Sequence, residues 1–144
     1  MEKVIIHINK NIDDVYKHYL LENIKNDNFD IIFEESKNEF SDYLQLVKKL
    51  QLKEISRVIV IDEFGSLPFM VIAKHKSIVV AQISDFHSAR MTIQHNNSNV
   101  LSLGFKILAK ESMVDIINSY FAAHFEAGRH MVRINMLENL LEGE

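Results

Sequence analysis

The chain lacks cysteine and contains only one proline and four glycines in 144 residues. Without cysteine it cannot form a disulfide, a thiolate zinc site or a thiol nucleophile, and this agrees with a reducing compartment. The scarcity of proline and glycine leaves no recognisable linker or low-complexity segment, and no internal repeat is visible. We therefore expect a single domain over residues 1–144, long enough to bury one hydrophobic core.

Long apolar runs and an excess of positive charge are also absent. No run is long enough to cross a bilayer, and Met1-Glu2-Lys3 leads into a strand-like segment without the apolar region of a signal peptide. The net charge is −4 at pH 7, so a basic surface for nucleic acid or anionic lipid is not expected. These features predict a cytoplasmic protein without a nucleic-acid or membrane partner.

Arginine is scarce, with four residues in the chain, yet two of them lie close together. Arg129 and Arg133 are four positions apart at the start of a predicted helix, so they share one of its faces. Each guanidinium group offers paired donors that match phosphate oxygens, which lysine does not. The pair predicts a phosphate-binding site, although the two arginines could instead be ordinary surface cations or pair with Glu126.

A histidine and an asparagine precede the last predicted strand. His95 would supply a proton-transfer group and Asn96 a neutral hydrogen-bonding neighbour, which suits chemistry on a sugar oxygen. An arbitrary histidine is more often a satisfied polar residue at a helix end. Together with the arginine pair, these residues nevertheless indicate a phosphorylated sugar as the ligand.

Short β-rich segments alternate with longer segments of helical period along the chain. The predicted strands are Val4–Ile8, Phe29–Phe33, Arg57–Ile61, Ile78–Ile83 and Asn99–Leu103. The predicted helices are Ile12–Lys25, Phe40–Leu52, Phe69–Lys74, Phe86–Gln94, Glu111–Phe125 and His130–Leu141. This alternation predicts an α/β fold, a Rossmann-like three-layer α/β/α sandwich around a five-stranded parallel sheet.

The last predicted helix, at about residues 130–141, has an apolar stripe that its own domain leaves uncovered. The stripe consists of Ile134, Leu137, Leu140 and Leu141. We therefore expect an extended C-terminal helix that packs on a partner subunit, in at least a dimer.

Ligands of such sheets bind beyond the carboxyl ends of the strands. There the sequence places Asn9-Lys10, the segment Asp62–Gly65 and His95-Asn96. Asp62 could be a general base, a helix N-cap or a structural acceptor. The histidines show no metal-binding spacing, and neither a metal nor a cofactor is expected.

One family-specific pattern runs through Ser84–Arg90, His95–Gly104 and Phe125–Arg133. These segments resemble the type B ribose-5-phosphate isomerase family, and the resemblance extends over nearly the whole chain. Within that family, Ile61–Gly65 followed by Pro68–Val71 is more similar to the A subunit of galactose-6-phosphate isomerase.

The resemblance implies an aldose–ketose isomerisation through a cis-enediol, without a cofactor. The expected reaction converts D-galactose 6-phosphate to D-tagatose 6-phosphate in lactose or galactose catabolism. In the family, the residues matching His95, Asn96, Arg129 and Arg133 reach across a subunit interface into a neighbour's pocket. Members of the family often carry arginine at the position of Lys106. Lys106 would therefore bind substrate, or it would only place its charge in solvent at the end of a strand.

The chain departs from the family where the neighbour's half of the pocket is built. The cysteine base and glycine-rich loop are replaced by Asp62–Leu67, and an Asp-His pair by Asn9-Lys10. Side chains at Glu63 and Leu67 and the missing N–H of Pro68 would spoil an anion-binding loop. The resemblance therefore implies a subunit that depends on a B-type partner for the base. Two alternatives stay open: a homo-oligomeric ribose-5-phosphate isomerase-like enzyme with Asp62 or Glu63 as base, and a non-catalytic phosphosugar-binding module.

Overall fold

A computed structural model describes residues 1–83 and 98–123, together with residues 137 and 140. The strands are β1 (Glu2–Ile8), β2 (Phe29–Glu35), β3 (Arg57–Asp62), β4 (Val80–Gln82) and β5 (Val100–Gly104). The helices that lie within residues 1–83 and 98–123 are α1 (Asp14–Asn23), α2 (Glu39–Gln51), α3 (Ser66–Ile72) and α4 (Lys110–Ala122).

All pairings within the sheet are parallel, and the strand order is β2-β1-β3-β5-β4. This confirms the predicted five-stranded parallel sheet. From β1 the chain continues to β2, which is the neighbour of β1 on one side, and then to β3, which is the neighbour of β1 on the other side. Such a reversal opens a crevice at the carboxyl ends of the two strands, where doubly wound sheets bind ligands.

Alternate residues of β1 face two separate apolar layers. Ile6 belongs to the layer built with α1 and α4, whereas Ile5 belongs to the layer built with α2 and α3. Both residues are buried, as are the middle residues of β3. Since a strand points successive side chains to opposite faces, this alternation produces helices on both sides of the sheet and confirms the three-layer sandwich.

Side-chain hydrogen bonds explain why two elements begin later than predicted. Asp13 accepts a hydrogen bond from the Tyr16 N–H at 2.8 Å, so α1 begins two residues later than its apolar pattern. At β4, the Asn99 side chain accepts from the Val79 N–H and donates to the Ser77 carbonyl, each at 2.9 Å. These side-chain bonds replace strand pairing there, and β4 starts at Val80 rather than at Ile78.

Aromatic side chains surround a cation at the amino-terminal end of the sheet. The Arg57 guanidinium carbon lies 5.3 Å from the ring centroids of both Phe29 and Tyr120. The Tyr120 hydroxyl donates to the Ser98 carbonyl at 2.5 Å, and burial raises the pKa of Tyr120 to about 12. We call Arg57, Phe29 and Tyr120 the amino-end cluster; it joins β2, β3 and α4.

The predicted helices at 86–94 and at 130–141 fall outside the described residues, apart from Leu137 and Leu140. Both leucines are helical and largely exposed, at 61% and 68%. The packing of this helix on a partner stays a prediction. No helix in the described part of the chain is long and apolar enough to cross a membrane.

Candidate active site

The crevice between β1 and β3 is closed by a buried network of polar side chains. Asn9 directly follows β1, and its side-chain amide donates to Glu39 at 2.8 Å and to Asp62 at 3.4 Å. Its side-chain carbonyl accepts from the Asn11 N–H at 2.8 Å. Asn9 therefore joins the end of β1 to the end of β3 and the start of α2.

Asp62, at the end of β3, acts as an acceptor for the loop that follows it. Its Oδ2 accepts from the Phe64 N–H at 3.3 Å and from the Gly65 N–H at 3.1 Å. The residue is buried, and Oδ1 faces the Asn9 amide. Of the three roles that the sequence left open, this geometry is that of a structural acceptor. The N-cap of α3 is Gly65, not Asp62.

These bonds also decide what the loop can offer an anion. Loops that bind phosphate direct their backbone N–H groups towards the ligand. Here the Phe64 and Gly65 N–H groups donate to the carboxylate of Asp62. The sequence predicted a spoiled loop because of side chains and a proline. The structure adds a reason that the sequence did not reveal, namely that an internal carboxylate already accepts from these two donors.

The loop is also packed tightly against β5. Gly65 adopts a left-handed conformation with φ of +84°, and its carbonyl accepts from the Ser102 hydroxyl at 2.6 Å. A Cβ atom on Gly104 would lie only 2.6 Å from the carbonyl carbon of Phe64. Glycine is required at both positions for different reasons, backbone conformation at one and close approach at the other.

Lys106 is the one predicted site residue within the described part of the chain. Its Nζ lies 2.8 Å from Oε2 of Glu63 and 5.7 Å from the centroid of the Phe64 ring. The Asn11 side-chain amide donates to the other oxygen of Glu63 at 3.3 Å. Hydrogen bonds from Lys106 and Asn11 lower the pKa of the Glu63 carboxyl, so this carboxylate stays charged at neutral pH.

A cavity of about 340 Å³ adjoins this pair on the β4 side. It is lined by Phe64, Gln82, Ile83, Gly104, Ile107 and Leu108. No charged side chain is among these lining residues. A phosphorylated ligand in this cavity would therefore need positive charge from outside its lining, and Lys106 beside the Phe64 ring is one such charge.

A second cavity, of about 420 Å³, lies between α2 and the edge strand β2. The buried His7 lines it, with Nδ1 at 2.8 Å from Glu34 and Nε2 at 3.6 Å from Asp42. No group of three or more histidine or carboxylate side chains in the described ranges is arranged to hold a metal ion.

The four other predicted site residues, His95, Asn96, Arg129 and Arg133, lie outside the described residues. The structure brings together the strand-end residues Asn9, Asp62, Glu63 and Lys106. The catalytic roles of His95 and Asn96 and the substrate-binding roles of Arg129, Arg133 and Lys106 stay predictions. Sequence reasoning identified these strand ends but missed Asn11 and Glu39, which carry no motif and reach the site only through the fold.

Comparison with known families shows to which family the chain is related. The family model described as ribose/galactose isomerase matches residues 7–137. This chain belongs to the ribose/galactose isomerase family. The family predicted from the sequence is thereby confirmed, and it is a family of isomerases.

Relatives within the family carry the name galactose-6-phosphate isomerase subunit LacA. The protein from Staphylococcus aureus is 33% identical over 131 residues, covering 91% of this chain and 92% of that protein. The one from Clostridium acetobutylicum is 45% identical over 89 residues, which is 62% of this chain and 63% of that protein.

Solved structures of type B ribose-5-phosphate isomerases share the fold. The Clostridium thermocellum enzyme has a TM-score of 0.84 at 23% identity, with 98% of each chain covered. The Trypanosoma cruzi enzyme has a TM-score of 0.88 at 18% identity, covering 99% of this chain and all of that one. At these identities the likeness establishes the α/β architecture.

Proposed function

We propose that this chain is a cytoplasmic subunit of a heteromeric aldose–ketose isomerase that converts D-galactose 6-phosphate to D-tagatose 6-phosphate. It would donate side chains to an active site whose base comes from a B-type partner. The observation that carries this proposal is the use of the Phe64 and Gly65 N–H groups by Asp62. A pocket built on this edge alone would lack these two donors for an anionic intermediate.

The named relatives supply the substrate in this proposal. Proteins similar to nearly all of this chain are called galactose-6-phosphate isomerase subunits, and the word subunit implies a second component. Leu137 and Leu140 are consistent with an interface, because both present apolar side chains that the described residues do not cover.

Each donated residue has a distinct proposed role. His95 would transfer a proton as the sugar ring opens, with Asn96 as its hydrogen-bonding neighbour. Arg129 and Arg133 would bind the phosphate through paired guanidinium donors. The partner's base would then move a proton between C1 and C2 through the cis-enediol. Lys106 would add charge near the phosphate once it is released from Glu63.

Asp62 and Glu63 are poorly suited to be the base of a self-sufficient enzyme. Asp62 accepts three hydrogen bonds from its surroundings, and Glu63 is held by Lys106 and Asn11. A general base must be free to take a proton from the substrate. A negative carboxylate beside a developing enediolate would also raise the barrier.

The test is to assay the purified chain alone, a B-type subunit alone, and a mixture of the two with D-galactose 6-phosphate. We expect turnover only in the mixture. Activity of the chain alone would support the homo-oligomeric enzyme and overturn the proposal. Binding of the phosphosugar without turnover in either case would support a non-catalytic module and overturn it as well.

A further inference from the structure

The carboxylate of Glu63 is bound in the way that an anionic ligand would be. One of its oxygens contacts the Lys106 ammonium group at 2.8 Å, and the other accepts from the Asn11 amide at 3.3 Å. A positive charge and a neutral donor thus engage the two oxygens separately. A phosphate group requires donors of the same kinds.

Groups other than Glu63 also contact the two donor residues. Asn11 follows the end of β1, and its backbone N–H is held by the buried Asn9 side chain at 2.8 Å. The Phe64 ring, whose loop is fixed on β5, lies beneath Lys106 with its centroid 5.7 Å from Nζ. Attraction to this aromatic face would favour the present position of the ammonium group when the ion pair is broken.

We propose that Glu63 is an internal competitor for the anion site of Lys106 and Asn11. Its carboxylate occupies the position of a phosphate group and lowers the affinity of this edge for phosphorylated ligands. The choice of phosphate as the external ligand rests on the proposed function. Under this proposal the loop Asp62–Leu67 differs from the glycine-rich loop that the resemblance implies in two ways. Its donors are less available, and it carries the negative charge of Glu63.

Exposure makes such a competition possible. The side chains of Lys106 and Glu63 are 52% and 28% exposed, so phosphate can reach the ammonium group. An ion pair that is open to solvent is weak and can exchange partners. The chain offers a matched control in Lys110 and Glu111, which form a similarly exposed pair at 3.0 Å at the start of α4.

The experiment titrates the isolated full chain with inorganic phosphate at low ionic strength and follows backbone amide chemical shifts. Glu63→Gln removes the charge and keeps the shape, and Glu63→Ala removes both. We expect phosphate affinity to rise about three- to fivefold in both variants, as estimated from the strength of exposed ion pairs. Glu111→Gln, which frees Lys110 instead, should leave the affinity unchanged.

Two outcomes would overturn the proposal. One is unchanged or undetectable phosphate binding in both Glu63 variants. The other is a gain that survives in the Glu63→Gln, Lys106→Met double variant, because the phosphate would then bind elsewhere. Loss of the gain in that double variant supports the proposal. The titration needs no turnover, so a gain in phosphate affinity with an inactive subunit mixture would contradict the proposed function alone.

Discussion

The two ends of the sheet each carry a cation, and the two are held differently. At the amino-terminal end, Arg57 lies between the rings of Phe29 and Tyr120, each 5.3 Å away. At the carboxyl-terminal end, Lys106 is half exposed and paired with Glu63. The first arrangement depends on three packed elements and is part of the fold. The second is an exposed ion pair, which a ligand can replace at little cost.

The largest effects are expected from the residues proposed to act on the substrate. In the assembled heteromer, His95→Ala should lower kcat by roughly 10²- to 10⁴-fold, because a proton-transfer group is lost. Arg129→Ala should mainly raise KM, by about tenfold or more, because a charged hydrogen bond to phosphate is lost. Steady-state kinetics measures both effects.

Exposed residues on other surfaces provide the controls for these kinetics. His18→Ala on α1 and Lys48→Ala on α2 should leave both constants unchanged, since both side chains are exposed. Equal changes in kcat and KM for His95→Ala and Arg129→Ala would show that the two roles are assigned wrongly.

At the amino-terminal end, a substitution should affect stability instead. Tyr120→Ala removes a fully buried ring from the amino-end cluster and should lower the free energy of unfolding by about 3–5 kcal/mol. Tyr120→Phe keeps the ring but loses the hydrogen bond to Ser98, and should cost about 1 kcal/mol. Urea unfolding measures both values. A loss below 1 kcal/mol for Tyr120→Ala would refute the view that this end is structural.

Gly104→Ala tests whether the loop at the carboxyl-terminal end is as rigid as its contacts indicate. The new Cβ would lie 2.6 Å from the Phe64 carbonyl carbon, so the loop must shift. We expect a destabilisation of about 1–3 kcal/mol, as for overpacking in a core. Urea unfolding provides the measurement, with the exposed Val15→Ala as control. Wild-type stability in Gly104→Ala would mean that the loop yields freely.

The smallest expected effect concerns the protonation of Glu63. Lys106 and Asn11 lower the pKa of this carboxyl from its usual value of 4.5. Because the folded-state pKa is depressed, the stabilisation from the pair is present above pH 4.5 and is lost as the pH falls through the folded-state pKa. A carbon-detected NMR titration should show a midpoint below 4.5 that moves up in Lys106→Met. An unchanged midpoint in that variant would contradict the pairing in solution.

Comparison of prediction and structure shows which kinds of residue the sequence reveals. Apolar periodicity located the strands β1, β3 and β5 within one or two residues, because buried strands are continuously apolar. The start of β4 was predicted two residues too early because Asn99, distant in sequence, takes over the hydrogen bonds of the preceding residues. Asp62 and Lys106 were both identified as candidates, yet their partners distant in the chain, Asn9 and Glu63, could not be read from local sequence.

The sequence alone determined the α/β class, the family and the absence of cysteine, since composition, periodicity and motifs are properties of the chain order. Tertiary structure decided how the remaining strand-end groups are used. Only the folded sheet brings Asn9 beside Asp62, and Glu63 beside Lys106. Hydrogen bonds and ion pairs depend on distances of a few ångström between residues far apart in the chain, and those distances are set by packing.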